Sequence, residues 1–143
     1  MTFSLQYIDT SVALRILLEQ SNAATDWLAQ SIEHGSYCFS SQLLRTEIYR
    51  AFWRRNKDFI DAEEFLNGIP LIDLDNDIAK EAAILEPIIK TLDALHIATA
   101  MRLSGIGPVT VVTHDAQMAR AAQQLGFDVH DPVTDDPHRA PVA

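Results

Sequence analysis

Four acidic residues occupy positions from which they could act on one substrate. Asp9 and Asp115 each come directly after a predicted β-strand. Glu47 lies in the second turn of the helix that follows the second predicted strand, and Asp93 lies in the first turn of an apolar helix. Because ligands of an open parallel sheet bind beyond the carboxyl ends of its strands, we expect all four side chains at one edge of the sheet.

Four carboxylates in one place repel one another and raise each other's pKa values. A divalent cation removes this repulsion, and oxygen ligands without a His or Cys pattern suit Mg²⁺ or Mn²⁺. The sequence therefore predicts a Mg²⁺ site, with Mn²⁺ as the substitute ion, whose ligands are Asp9, Glu47, Asp93 and Asp115.

Each of these acids also has an ordinary structural explanation. Asp9 and Asp115 are residue types that cap helix N-termini, and Asp93 would complement the dipole of its helix. Glu47 lies beside the apolar stripe of its helix and could be a solvated carboxylate. A functional site is favoured because all four acids are expected at the same edge of the sheet.

The elements that must position these acids alternate along the chain. Strands are predicted over residues 5–8, 37–40, 70–74, 109–113 and 127–129, and helices over 12–19, 22–33, 42–55, 61–67, 76–86, 91–103 and 116–125. Thr10 and Ser11 are expected to cap the first helix. This alternation predicts an α/β fold, with a single domain over residues 1–130 whose central, mostly parallel sheet is flanked by helices on both faces. Residues 131–143 carry three prolines and no apolar pattern, which predicts a flexible C-terminal tail.

Composition limits the possible functions. The chain of 143 residues has a net charge of −9, which argues against indiscriminate binding to nucleic acid. Nevertheless, five of its eleven Lys and Arg residues fall within residues 45–57.

The only cysteine, Cys38, excludes an internal disulfide and is expected to be a buried, inert strand residue. Neither a signal peptide nor a stretch long enough to span a membrane is recognisable, so we expect a cytoplasmic protein without membrane contact.

Several short motifs, in this order and spacing, resemble the PIN domain family. They are Tyr7-Ile8-Asp9-Thr10-Ser11, Ser41 with Glu47 six residues later, the segment Thr91-Leu92-Asp93-Ala94-Leu95-His96-Ile97-Ala98, and Val112-Thr113-His114-Asp115. The resemblance covers about residues 5–130, and the segment around Asp93 is its most specific part. Within the family, the chain is similar to the VapC toxins of bacterial toxin–antitoxin pairs.

The resemblance implies a Mg²⁺-dependent endoribonuclease whose catalytic residues and metal ligands are the four acids. It also implies that Thr10, Ser11 and Thr113 line the site, that the products carry a 3′-hydroxyl and a 5′-phosphate, and that the partners are RNA, a cognate antitoxin and a second copy of the chain. A non-catalytic RNA- or protein-binding module on the same fold is the alternative. A haloacid-dehalogenase-like phosphatase would have a second Asp where Ser11 stands, and a phospho-receiver domain would have paired acids at its first strand.

Other residues near the acids admit two interpretations each. Arg50 and Arg54 share a helix side with Glu47 and are candidates for binding RNA phosphates, with solvated surface charge as the alternative. Tyr49 and Trp53 lie off the apolar stripe and indicate either an antitoxin interface or packing under the helix at 61–67. Two histidines stand close to the acids in sequence. We expect His96 to be structural rather than a base or ligand, and His114 to lie in an exposed loop.

Overall fold

The structure, a computed structural model, describes residues 4–135. Within this range, the strands are β1 (Leu5–Ile8), β2 (Tyr37–Ser41), β3 (Leu71–Ile72), β4 (Val109–Val112) and β5 (Asp128–His130). The α-helices are α1 (Thr10–Leu17), α2 (Asn22–Glu33), α3 (Gln42–Arg54), α4 (Ile60–Asn67), α5 (Asn76–Ala83), α6 (Thr91–Ala100) and α7 (Ala116–Gln124). Short 3₁₀ helices span Met101–Leu103 and Pro132–Asp135. No helix in the described range is long and apolar enough to cross a membrane.

The five strands form one sheet in the order β3-β2-β1-β4-β5, and every pairing is parallel. Strand β1 lies at the centre, where Tyr7 is opposite both Phe39 and Val111. The backbone N–H of Asp9 donates to the carbonyl of Val112 at 2.9 Å, so the strand ladder fixes the start of the segment after β1. The predicted parallel sheet is confirmed.

Alternation along the strands divides the core into two layers, as the period of two in a strand requires. Tyr7, Phe39 and Val111 pack on one face of the sheet against Ile97 of α6 and Met118 of α7. On the other face, the alternate strand residues Ile8, Cys38 and Val112 pack against helices α1 to α4. The buried apolar side chains of these helices are Val12, Ala24, Leu44, Ile48, Phe52, Ala62 and Leu66. The prediction of helices on both faces is therefore confirmed.

Some predicted element ends were wrong. Helix α1 begins at Thr10 with Asp9 as its N-cap residue, so Thr10 and Ser11 do not cap it. Strand β3 is limited to two residues at the edge of the sheet, where Pro70 has no N–H to donate to the ladder. Helix α6 ends at Ala100 rather than at residue 103, and Leu92 in the first turn of this apolar helix is 48% exposed.

The chain beyond residue 130 does not become loose at once, as the predicted tail would require. Pro132–Asp135 form a 3₁₀ turn that packs on helix α2, and the side chain of Val133 is buried in the core. The Asp131 carboxylate starts this turn, because its Oδ1 accepts a hydrogen bond from the N–H of Val133 at 3.0 Å. The rest of the predicted tail, residues 136–143, lies outside the described residues.

Candidate active site

The carboxyl ends of β1 and β4 bring the predicted acids to one place. Asp9 follows β1 and is only 5% exposed, whereas Asp115 lies beyond β4 at an exposed position. Glu47 on α3 and Asp93 on α6 are both half-buried. The Asp93 carboxyl interacts electrostatically with the three other acids. The structure therefore brings all four sequence-predicted acids together.

Asp9 is held by hydroxyl groups. Ser11 Oγ and Thr113 Oγ1 donate hydrogen bonds to Asp9 Oδ2 at 2.7 and 2.8 Å. The two hydroxyl oxygens are 3.2 Å apart, and the N–H of His114 donates to Ser11 Oγ at 2.9 Å. Neutral donors from two neighbouring strand ends thus orient a nearly buried carboxylate. Ser11 and Thr113 thus both contact a predicted acid, and their part in a catalytic site stays a prediction.

Glu47 is held by a histidine. His96 Nε2 lies 2.6 Å from Glu47 Oε1, and Thr10 Oγ1 donates to the same oxygen at 2.9 Å. The other ring nitrogen, His96 Nδ1, lies 2.5 Å from the hydroxyl oxygen of Tyr7. A buried tyrosine, a buried imidazole and the carboxylate therefore form a continuous chain of hydrogen bonds across the sheet edge.

The charges of this chain reinforce each other. Burial raises the pKa of Glu47, but the hydrogen bonds from His96 and Thr10 and the charge of His96 outweigh it, so the pKa lies below its ordinary value. Burial lowers the pKa of His96, yet the hydrogen bond to Glu47 and the charges of Asp9, Glu47 and Asp93 raise it overall. The carboxylate and imidazolium forms are thus favoured together.

Asp93 is in the opposite situation. Its pKa is raised, first by burial and then by the negative charges of Asp9, Asp115 and Glu47, which outweigh the opposing charge of His96. No hydrogen bond to its side chain is present among residues 4–135. Part of the rise in the pKa of Asp93 therefore comes from repulsion among the acids, which a cation bound among them would relieve.

Asp115 combines a structural role with availability for a ligand. Its Oδ1 accepts hydrogen bonds from the N–H groups of Gln117 and Met118 at 2.8 and 3.2 Å, so the capping interpretation of this residue is correct. For Asp9, by contrast, no capping hydrogen bond is formed by the side chain. Capping does not exclude a metal ligand here, because it occupies only one of the two carboxylate oxygens.

Asp9 and Glu47, like Asp115, use only one carboxylate oxygen for their contacts. Within residues 4–135, the contacts described use Oδ2 of Asp9, Oε1 of Glu47 and Oδ1 of Asp115. The second oxygen of each carboxylate accepts no hydrogen bond from the described residues, and nor does either oxygen of Asp93. Unengaged carboxylate oxygens on a repelling cluster are the donor chemistry that Mg²⁺ and Mn²⁺ prefer.

The donor set fits Mg²⁺ by its chemistry and charge, although its side chains do not form a closed set of ligands. In the described residues, no group of three or more His, Cys, Asp or Glu side chains is drawn close enough together to hold a metal ion as it stands. Glu47 Oε1 contacts His96 Nε2 and Asp115 Oδ1 caps α7, so each of these two carboxylates already has one oxygen engaged. The charges of Asp9, Asp115 and Glu47 nevertheless contribute to the raised pKa of Asp93, after burial.

Comparison with known proteins agrees with this geometry. The model of the PIN domain family matches residues 6–124, which include all four acids. The chain belongs to the PIN domain family. Among its relatives, Ribonuclease VapC35 of Mycobacterium tuberculosis is 30% identical over 131 residues, which cover 88% of this chain and 96% of the relative. Ribonuclease VapC46 of the same organism is 30% identical over 128 residues, with the same shares covered.

A solved structure described as a toxin–antitoxin complex from Klebsiella pneumoniae superposes with a TM-score of 0.68 and 18% identity, covering 89% of this chain and 97% of the other. At that level of identity the superposition supports the fold alone. Together with the relatives named VapC, the family match makes this chain a VapC-like PIN domain protein.

Two of the five histidines, His96 and His114, have contacts that were not predicted. His96 is buried at 1% exposure, as expected of a structural residue, but it also contacts a predicted catalytic acid. The prediction of an exposed loop for His114 was wrong: its side chain is buried, and Nδ1 lies 2.9 Å from Asp131 Oδ2. Tyr7 was missed altogether. A tyrosine two residues before Asp9 on a strand that buries both faces was the available signal, because a buried hydroxyl needs a partner.

The remaining candidates separate by exposure. Arg50 and Arg54 are exposed and form no ion pair among the described residues, so their role in RNA binding stays a prediction. The Tyr49 ring packs against Phe59 with centroids 4.6 Å apart, whereas Trp53 is 67% exposed and available to a partner. Cys38 is buried as predicted, and burial raises the pKa of its thiol to about 11, so it is inert.

Proposed function

We propose that this chain is a Mg²⁺-dependent endoribonuclease and the toxin of a type II toxin–antitoxin pair. The observation that carries the proposal is the cluster of four acids, each with at least one unengaged carboxylate oxygen, at the carboxyl edge of a PIN domain sheet. The relatives named Ribonuclease VapC support RNA as the substrate. Mn²⁺ is the expected substitute for Mg²⁺ because both prefer oxygen ligands.

The residues of the chain divide the chemistry between them. A bound Mg²⁺ would polarise the phosphodiester and lower the pKa of a bound water. Asp9, Asp93 and Asp115 would hold the ion, directly or through water, with the oxygens that their other contacts leave unengaged. Glu47, kept ionised by His96 and Thr10, would serve as a further ligand or as an acceptor that orients the attacking water. The resemblance to VapC toxins implies that water displaces O3′ from phosphorus, which leaves a 3′-hydroxyl on one product and a 5′-phosphate on the other.

The proposal includes two protein partners and a cellular location. An antitoxin is proposed because the superposed structure is a toxin–antitoxin complex, and the exposed Trp53 on α3 is the expected contact residue. A homodimer is proposed from the resemblance to VapC toxins, and light scattering on the purified protein checks it. Cleavage of RNA as a toxin requires a cytoplasmic location.

The deciding experiment is incubation of the purified protein with total RNA in the presence of Mg²⁺ or EDTA. We expect cleavage with Mg²⁺ only, and a loss of at least about 100-fold on replacing Asp9 or Asp93 by Asn, because each substitution removes a charged ligand. Asp73→Asn is the matched control, since Asp73 is exposed just beyond the edge strand β3. Ligation of an adaptor to the product 5′-phosphate tests the predicted ends.

The same experiment tests the alternative of a non-catalytic binding module. That alternative predicts RNA or partner binding that persists in Asp93→Asn, with no cleavage by the wild-type protein in either buffer. Cleavage that survives Asp93→Asn unchanged would contradict the mechanism.

A further inference from the structure

A polar trough leads away from the acids along helix α7. At its near end is a cavity of about 410 Å³ lined by Ser11, Asp115, Lys90 and Arg120, among others. A second cavity, of about 310 Å³, shares Gln117 and Arg120 with the first, so the two adjoin. We call the two cavities together the α7 trough.

The near end of the trough is continuous with the acid cluster. Ser11 donates to Asp9 Oδ2 at 2.7 Å, and Asp115 is itself one of the four acids. A polymeric substrate whose reacting group lies at the acids would therefore extend into the trough on one side. From there it would pass Lys90 and Arg120 before reaching the far end, which Ile88 and Gln124 line.

Two cations line the trough of this acidic protein. Lys90 and Arg120 are exposed, and neither has a carboxylate oxygen within 4.0 Å among the described residues. Arg45 pairs with Glu63 at 3.4 Å and Arg102 with Asp75 at 2.5 Å, whereas Arg50 and Arg54, like the trough cations, form no ion pair among the described residues. Lys90 and Arg120 differ from those two arginines in that they line the same cavity as Asp115. Two unpaired cations lining one trough make it a local site for anions on a chain of net charge −9.

We propose that the α7 trough binds the phosphate backbone of the RNA on one side of the cleaved bond, through Lys90 and Arg120. The Arg120 guanidinium suits a phosphate because its fork of donors matches two phosphate oxygens, and Lys90 contributes a point charge. The walls are otherwise polar or aliphatic, so the trough holds the backbone without reading bases. This inference rests on the proposed function, since the acids define where the RNA is cleaved.

The test measures RNA binding by the full chain carrying Asp93→Asn, which keeps the probe intact. The probe is a short fluorescein-labelled single-stranded oligoribonucleotide, and its anisotropy gives the dissociation constant at several KCl concentrations. The test variant adds Lys90→Gln and Arg120→Gln. The matched control adds Arg15→Gln and Lys80→Gln, also one arginine and one lysine, which lie in the last turns of α1 and α5.

We expect the trough variant to bind RNA at least about tenfold more weakly at low salt. The slope of log K against log salt should fall by about 1.4, since each lost contact on a single strand contributes about 0.7. The control should stay within about twofold of the parent, because phosphates that do not contact a cation release no counterions there. Equal losses in both variants, or no loss in either, would overturn the trough as a binding site.

Cleavage kinetics separate this proposal from the proposed function. In the background with Asp93 intact, the trough variant should raise KM by about tenfold and keep kcat, because all four acids remain and only uniform binding is removed. Metal-dependent cleavage with an unchanged KM in the trough variant overturns the trough alone. If the wild-type chain does not cleave RNA and the Asp93→Asn parent does not bind it, both proposals are overturned. Thermal melting of each variant checks that it folds.

Discussion

Glu47 and Asp9 are both carboxylates held through a single oxygen, yet they are held by opposite means. A buried imidazole favoured in its charged form holds Glu47, and the partner is 49 residues away along the chain. Two neutral hydroxyls hold Asp9, and one of them, Ser11, is only two residues away. Hydrogen bonds to a charged partner are stronger than those to neutral donors. The two halves of the site should therefore differ in how they respond to substitution.

Asp93 differs from both Glu47 and Asp9. With no hydrogen bond from the described residues and a raised pKa, it is the acid whose charge the protein stabilises least. A cation bound among the acids would therefore relieve repulsion most at Asp93. The substitutions below test each part of this arrangement.

Among the residues that orient the acids, the largest effect on cleavage is expected at His96. His96→Leu removes the charged donor to Glu47 and leaves that carboxylate with Thr10 alone. We expect Mg²⁺-dependent RNA cleavage to fall roughly 100-fold, since loss of an orienting partner typically costs 10- to 100-fold. Gel-based cleavage rates at saturating Mg²⁺ provide the measurement.

Two variants control that experiment. His34→Leu makes the same change at an exposed residue after helix α2 and should leave the rate unaltered. His96→Gln keeps an N–H donor and should recover part of the lost activity. If His96→Leu cleaves RNA as fast as the wild-type chain, the imidazole has no role in orienting Glu47.

A smaller effect is expected on the Asp9 side. Thr113→Val removes one of two hydroxyls from Asp9 and also removes the acceptor for the N–H of Asp115, 3.1 Å away. Because Ser11 still donates, we expect a loss of roughly tenfold in cleavage rate, the low end of the range for orienting partners. Thr110→Val on the same strand, at a half-buried position remote from the acids, is the control. A loss larger than that of His96→Leu would reverse the comparison between the two halves.

The difference between the two halves also explains how much of the site could be predicted. The acids were found because Asp9 and Asp115 stand at strand ends, and the parallel sheet brings those ends together. The hydroxyls beside Asp9 were predicted from the resemblance to PIN domains, in which Ser11 belongs to the motif of Asp9 and Thr113 to the motif of Asp115. The Tyr7–His96–Glu47 chain was not found, because its members are separated by up to 89 residues and meet only through packing of α6 on the sheet.

The ends of the chain elements show the same limit. Helices with strong caps were predicted to within a residue at their start, as at Ser41 and Asp75, because a cap is a local interaction. The turn at Pro132–Asp135 was predicted as loose because its stability depends on a distant helix and on one buried side chain, Val133. Local chemistry is readable from sequence, whereas a single tertiary contact is not.

Asp93→Asn should stabilise the metal-free protein at neutral pH although it abolishes activity. The pKa of Asp93 is raised in the folded chain, so folding favours its protonated form. Its stabilising contribution is therefore present below the ordinary pKa of 3.8 and is lost as the pH rises through the folded-state pKa. Asparagine cannot ionise and should escape that loss.

Melting temperatures measured against pH in EDTA test this sign. The gain of Asp93→Asn over wild type should be near zero below pH 3.8 and should grow as the pH rises. Added Mg²⁺ should raise the melting temperature of the wild type and of Asp73→Asn but not of Asp93→Asn, because only an intact site binds the ion in the folded state. Equal Mg²⁺ shifts in all three proteins would contradict the site assignment.

The smallest effect is expected from Arg50 and Arg54, which share a side of α3 with Glu47. Both are exposed, so they can contribute to RNA binding only through screened attraction to phosphates. Replacing both by Gln in the Asp93→Asn chain should weaken binding of the same labelled oligoribonucleotide a few-fold and reduce the salt slope by at most about 1.4. The Mg²⁺-induced rise in melting temperature, measured with Asp93 intact, should survive, because an arginine does not ligate a cation. An unchanged slope would mean that Arg50 and Arg54 are solvated surface charge and that other residues bind the RNA.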